Sequence, residues 1–263
     1  PPVAFLRMDE THAAPAATSR AGRRRPPWLL PGVLAAILVF LTACVLAHSP
    51  VLDVDRWIRS AAEAQARSAR FRWLEDGRYA PVNLLADLGN NQVAVPLLAL
   101  SALIAAIRAR SVRPVLAAVA GVVLLLGTVI PAKILIGRAG PGLPPVAHGA
   151  MGVFPSGHTA TSAVCLGLGA LLLARGLPGW ATRGVLAGMA VACFLVGAAL
   201  IWGDYHWFTD VVGGWALAAL IVMAALRATG LSGDPGSPVD RVRGGTSAGT
   251  DTNREQADES ARA

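Results

Sequence analysis

The chain has 263 residues, 54% hydrophobic and 15% charged, against roughly 25% charged in an ordinary soluble domain. With a mean hydropathy of +0.53 and two carboxylates, Asp204 and Asp210, in the whole stretch from Gln92 to Gly230, it is not a soluble globular enzyme; lipid solvates its middle. The net charge of +7 implies no nucleic-acid partner, because the basic residues flank apolar runs in the way the positive-inside rule describes.

Residues 1–26 are rich in Ala, Pro and Arg and are expected to be a disordered tail, with Met8 ahead of Asp9 and Glu10 as a candidate start. Runs long and apolar enough to span a bilayer follow at Trp28–Ala47, Gln92–Ile107, Pro114–Ala132, His158–Ala174, Val185–Trp202 and Val211–Leu226. They predict an all-α, polytopic bundle of six transmembrane helices. The first run is too long for a signal-peptide core and has no convincing small-residue cleavage site, so it reads as a retained anchor. Small residues such as Gly188, Ala192 and Gly197 suit the fifth run to close helix packing. From residue 229 onward the composition turns to Gly, Ser, Thr, Asp and Arg, and a second disordered tail is expected. Cys44, Cys165 and Cys193 lie inside apolar runs and read as small buried hydrophobes.

An even number of spans puts both termini on one side. The two tails and the connections after the second and fourth spans carry 15 basic residues against 8 on the other side, which makes the first set cytoplasmic and places the opposite loops outside a cell membrane. The first connection, residues 48–91, balances six arginines with Asp53, Asp55, Glu63, Glu75, Asp76 and Asp87. It supports two readings: a helix lying on the membrane surface through Trp57, Ile58, Phe71, Trp73 and Leu74, or a solvated loop.

The remaining polar residues converge on the outer side in three places. Lys133, the one lysine among 23 basic residues, leads through Arg138 to Pro141 at the exit of the third span. Pro155-Ser156-Gly157-His158 enters the fourth, setting a hydroxyl at the N-cap, a glycine where a ligand can approach the backbone, and free N–H groups that favour an anion. His158 in that first turn can give a proton to a group held there. Between the fifth and sixth spans, His206 and Asp210 are four residues apart; on a helix that stacks them, so the carboxylate holds one ring nitrogen and leaves the other nucleophilic. Lys133 and Arg138 add positive charge, and no cluster of His, Cys and carboxylate has metal-ligand spacing, so neither metal nor cofactor is expected. Asp204 reads either as an acid supporting His206 or as a solvated loop residue, and His148 as incidental.

These residues resemble the type 2 phosphatidic acid phosphatase family, the membrane branch of a superfamily that includes lipid phosphate phosphatases and vanadium haloperoxidases. The resemblance covers about residues 28–227 and rests on three motifs in order: Lys-x6-Arg-Pro, Pro-Ser-Gly-His and Ser-Arg-x5-His-x3-Asp. It implies a six-helix membrane phosphatase domain over residues 27–228 acting on a lipid phosphate or diphosphate at the extracytoplasmic face. It further implies that His206 attacks phosphorus to give a phosphohistidine, Asp210 orients it, His158 protonates the leaving alkoxide, and Lys133, Ser156 and the Gly157 N–H hold phosphate oxygens.

The match departs at two points: Gly140 stands where the first motif has arginine, and Ala199-Leu200 where the third has Ser-Arg. Losing one preorganised charge on a phosphoryl transition state costs on the order of 3–4 kcal/mol. Arg138, two residues before Gly140, is the expected substitute for one of them as a phosphate ligand; nothing basic replaces Leu200. Two alternatives therefore stand beside the phosphatase. One is a phosphotransferase using the same phosphohistidine, the other a non-catalytic lipid-binding or transport protein of the same fold.

Overall fold

The computed structural model describes residues 28–67 and 80–233. Both expected tails, apart from residues 229–233, lie outside that range, as do Phe71, Trp73 and Leu74 of the first connection. Among the described residues eight α-helices form: α1 Leu29–Leu46, α2 Asp53–Ala66, α3 Pro81–Asp87, α4 Asn91–Ala109, α5 Arg113–Ile136, α6 Gly157–Ala174, α7 Gly179–Trp202 and α8 Phe208–Ala228. A 3-10 turn at Pro50–Leu52 precedes α2. Six of them, α1 and α4 to α8, are long and apolar enough to cross a membrane, so the chain is an all-helical multi-pass membrane protein.

Two boundaries move from their expected places. α5 continues through Pro131 to Ile136, because a proline inside a membrane helix is tolerated where neighbouring helices satisfy the freed backbone groups. That places Lys133 inside the last helical turn. α7 begins at Gly179, ahead of Arg183, whose charge at the membrane edge does not stop a helix. Of the two readings of the first connection, a helix forms over Asp53–Ala66, with Trp57 exposed and Asp55 turned inward.

α6 is the central helix, packed against α4, α5, α7 and α8, while α1 lies along α8. Its own small residues allow this: Gly169 lets α4 approach so closely that an added Cβ would stand 3.1 Å from the Ser101 hydroxyl. The core is correspondingly built from Leu98, Val164, Leu168, Leu172 and Ile221. Large apolar side chains on the outer helices, among them Leu103, Val119, Val123 and Phe194, point away from the protein, as they do when the solvent is hydrocarbon and packing relies on small residues instead. At the end away from the polar segments, Arg108 donates to the carbonyls of Leu173 and Arg175, which α6 leaves unpaired at its C-terminus.

α7 and α8 meet at Gly197, where an added Cβ would lie 2.5 Å from Trp215 and 2.8 Å from Val211. Gly197→Ala is expected to lower stability by about 1–3 kcal/mol through overpacking, read as a lower unfolding temperature in detergent; an unchanged temperature would show that the pair can part without cost.

Candidate active site

The C-terminus of α5 and the N-termini of α6 and α8 come together at one end of the bundle. α5 stops at Gly137, whose left-handed φ of 58° is what glycine supplies at such a cap. The chain returns as residues 152–153: the Gly152 N–H donates to the Lys133 carbonyl (2.9 Å) and the Val153 N–H to the Arg138 carbonyl (2.8 Å). A Cβ at Gly152 would stand 2.7 Å from the Gly137 carbonyl carbon, so this approach admits only glycine. The Lys133 ammonium closes the same junction by donating to the Gly152 carbonyl at 2.8 Å, which leaves two further N–H donors on Nζ.

Ser156 caps α6. Its fully buried hydroxyl oxygen accepts from the Thr159 N–H (3.3 Å) and the Thr159 hydroxyl (2.9 Å). It therefore supports the helix entry from below. The N–H groups of Gly157 and His158, in the first turn, have no acceptor within the helix. Lys133 runs beside them, with Cε 3.5 Å from where a Cβ of residue 157 would be. Ammonium and helix N-terminus thus face one volume, the arrangement that binds an anion.

His206 and Asp210 meet by a route other than stacking on a helix. α8 starts at Phe208 with Trp207 at the N-cap, so His206 precedes it and Asp210 is its third residue. Asp210 Oδ2 accepts the Trp207 N–H at 3.0 Å and lies 3.4 Å from His206 Nδ1. The carboxylate that holds the ring is also half of a capping arrangement. The turn before it is fixed by the Tyr205 and His206 N–H groups, both donating to the Leu200 carbonyl. The Ser156 N–H donates to the Asp210 carbonyl at 3.0 Å, which ties the α6 and α8 entries together. Gly213 and Gly214 make room for this, since Cβ atoms there would stand 3.0 Å from Phe154 and from the Ser156 carbonyl.

Two clefts of about 500 Å³ each open on either side of the histidine pair, and His158 and His206 line both. One is walled by Leu126, Val129, Ile130 and Lys133 of α5. The other is walled by Asn83, Asp87, Leu200 and Tyr205. Leu200, one of the two positions lacking a motif arginine, is thus a buried residue in the wall of the second cleft. His148 is exposed in the 137–156 loop.

Arg138 lines neither cleft but a third cavity of about 400 Å³ behind Trp207. Its Nη1 donates to the Thr209 hydroxyl (2.8 Å) and to Asp210 Oδ1, and its Nη2 to Asp55 Oδ2 (2.7 Å). This arginine, expected as a phosphate ligand, pairs with two carboxylates. Asp55, 2% exposed, also accepts the Thr209 N–H (2.8 Å) and hydroxyl (2.7 Å). No local pattern marked it among the six acids of the first connection; its partners lie 83 and 154 residues away. Asp204 is a loop anchor: Arg59 of α2 pairs with it in two hydrogen bonds of 2.8 Å, which raise the Arg59 pKa above its ordinary value. The Arg59 and Arg138 guanidiniums both lie over the Trp207 ring, at 5.8 and 5.6 Å.

Residues 112–233, from the cap of α5 to just past α8, match the family model of the PAP2 superfamily. Over that segment the chain is similar to the PAP2 superfamily. Its fold is shared by a solved structure, the first transmembrane PAP2 type phosphatidylglycerolphosphate phosphatase from Bacillus subtilis, at 24% identity and a TM-score of 0.63 over 75% of this chain and 94% of that one. No curated protein matches the chain. The PAP2 segment contains Lys133, the α6 entry and the His206–Asp210 pair, whereas α1 to α4, and Asp55 with them, precede it.

If Lys133 and the α6 N-terminus form the anion site, orthophosphate titrated into the purified protein will bind, and Lys133→Ala will weaken that binding tenfold or more, read by ³¹P line broadening. Equal affinity in the variant would exclude the lysine from the site.

Proposed function

We propose that the chain is a lipid phosphate phosphatase that works through a phosphohistidine on His206. The observation that carries this reading is the orientation of that ring. Nδ1 faces the buried Asp210 carboxylate, which leaves Nε2 to the clefts, where His158 and the anion-binding end of α6 also lie. An imidazole held in one tautomer by a carboxylate is the arrangement that makes the other nitrogen a nucleophile.

The steps balance as follows. The phosphate sits on Lys133 and the Gly157 and His158 N–H groups. The Nε2 lone pair of His206 forms a bond to phosphorus as the bond to the lipid oxygen breaks. That oxygen takes the electron pair and receives a proton from the protonated His158 imidazole. The ring of His206 becomes a cation on phosphorylation, and the Asp210 carboxylate stabilises it through Nδ1–H. Neutral His158 then draws a proton from water as the water oxygen attacks phosphorus, and the P–N electron pair returns to His206. Each step is served by a side chain of the site.

Ser156 acts through the helix entry it caps, and Arg138 through Asp210, so neither is assigned a direct contact with phosphate. The substrate class follows from the apolar wall of the α5 cleft, which opens toward exposed Leu126, Ile130 and Met151: a phosphate at the polar end, a hydrocarbon chain at the other.

Purified protein is expected to release orthophosphate from phosphatidylglycerol phosphate or phosphatidic acid in mixed micelles. His206→Ala should abolish this and Asp210→Asn should reduce turnover by roughly 10³–10⁴-fold, as loss of an orienting carboxylate does in other triads. A rapid quench with labelled substrate should trap an acid-labile phosphoprotein in the unmutated enzyme. Activity surviving in His206→Ala would end the proposal, and phosphate passed to an added alcohol in place of water would identify a transferase.

The arginine asymmetry of the sequence supports an extracytoplasmic site in the cell membrane. A cysteine replacing Tyr205, which is 50% exposed, should then react with a membrane-impermeant thiol reagent on intact cells, and one replacing Trp180, 78% exposed at the other end of the bundle, should not. The reverse pattern would invert the topology.

A further inference from the structure

Four ionisable groups form a closed row at the entry of α8. Asp55 meets Arg138, Arg138 meets Asp210, and Asp210 meets His206. The Asp55 and Asp210 side chains are 1% and 0% exposed and that of Arg138 is 11% exposed, so water screens little of what passes between them. The row begins on α2, outside the PAP2 segment, and nothing in the motifs implies it.

Charge along the row makes sense only with both carboxylates present. A guanidinium paired with Asp210 alone would form a neutral ion pair, and Asp210 would then have little charge left to hold the Nδ1–H of His206. With Asp55 on its far side, Arg138 is already balanced, and the three groups together carry one net negative charge placed against the imidazole. When the ring becomes a cation on phosphorylation, the row of four becomes neutral. A buried arginine held between two carboxylates also keeps the geometry of a fork without neutralising the one that faces the histidine.

We infer that Asp55 is a positioning residue for the reaction: by neutralising Arg138 it leaves the charge of Asp210 free to fix the Nδ1–H tautomer of His206 and to stabilise the phosphorylated ring. This rests on the phosphohistidine reading for its catalytic consequence, but not for the tautomer. The other charged groups around His206 are His158 and Lys133, across the anion site, Asp87 in the wall of the second cleft, and the Arg59–Asp204 pair on the far side of Trp207. None of them touches Arg138 in place of Asp55.

The test uses full-length protein labelled with ¹⁵N-histidine, with the His206 signals assigned by their loss in His206→Gln, and kinetics on phosphatidylglycerol phosphate. Unmutated protein should show the Nδ1–H tautomer at His206. Asp55→Asn should lose it in favour of a mixture and lower kcat tenfold or more with KM within twofold, whereas Glu63→Gln, a charge loss elsewhere on α2, should keep the tautomer.

The decisive arm is Asp55→Asn combined with Arg138→Gln. Removing the now unbalanced arginine returns one net negative charge to Asp210, so the double variant should regain the Nδ1–H tautomer and at least fivefold in kcat over Asp55→Asn. A purely structural Asp55 would make the double variant worse than either single one, and that result would overturn the inference, as would an unaltered tautomer in Asp55→Asn. If Asp55→Asn does not fold alone, the tautomer in the double variant decides. A tautomer that responds as stated in a protein that hydrolyses no lipid phosphate would leave this inference standing and remove the phosphatase reading.

Discussion

A carboxylate with no access to water organises this molecule. Burying the Asp210 carboxylate would cost several kcal/mol were it unpaired, and three groups meet that cost while a fourth ties down its backbone. Arg138 donates to one oxygen, the Trp207 N–H and the His206 ring approach the other, and the Ser156 N–H takes the residue's own carbonyl. Those partners come from three segments: the α5 exit, the α7–α8 turn and the α6 entry. The bundle ends converge where they do because this group requires them all, and the same requirement holds the His206 ring in place.

Around that point glycine decides how near the segments come. Gly152 lets the return of the 137–156 loop lie against residues 137–138, and Gly213 and Gly214 let the α6 entry sit on α8. α2 closes the arrangement from above, since its Arg59 fixes the α7–α8 turn through Asp204 and its Asp55 reaches through to Thr209 and Arg138. A short helix outside the six spans thus holds the loop that carries His206.

Much of this was legible in the sequence and part was not. Span number followed from hydropathy, because lipid demands about 20 apolar residues whatever the helix packs against. The ends were less clear: the third apolar run reads as far as Ala132, yet α5 continues to Ile136, and that one extra turn is what brings Lys133 beside Gly157. The His206–Asp210 spacing announced a contact correctly for a helix that does not include His206; a cap and a stack place the two side chains at a similar separation. Arg138 was visible as a charge, but its partners were not. Asp55 is remote in the chain and one acid among several, so local pattern held no signal that it faces inward while Asp53 and Glu63 do not.

The central position of α6 has a consequence for how the protein meets its surroundings. In α6, 61% of the spanning window is buried, against 17% in α1 and 28% in α5 and α7. The polar site hangs from the helix that lipid scarcely touches, while the outer helices present loose apolar surface to the bilayer. Bilayers differ in thickness by several ångströms, and helices adjust to them by tilt and by changes in their lipid-facing side chains. Here such adjustment falls on a sleeve around α6, while the α6 entry and the start of α8 stay tied to each other through the Ser156 N–H and the Asp210 carbonyl.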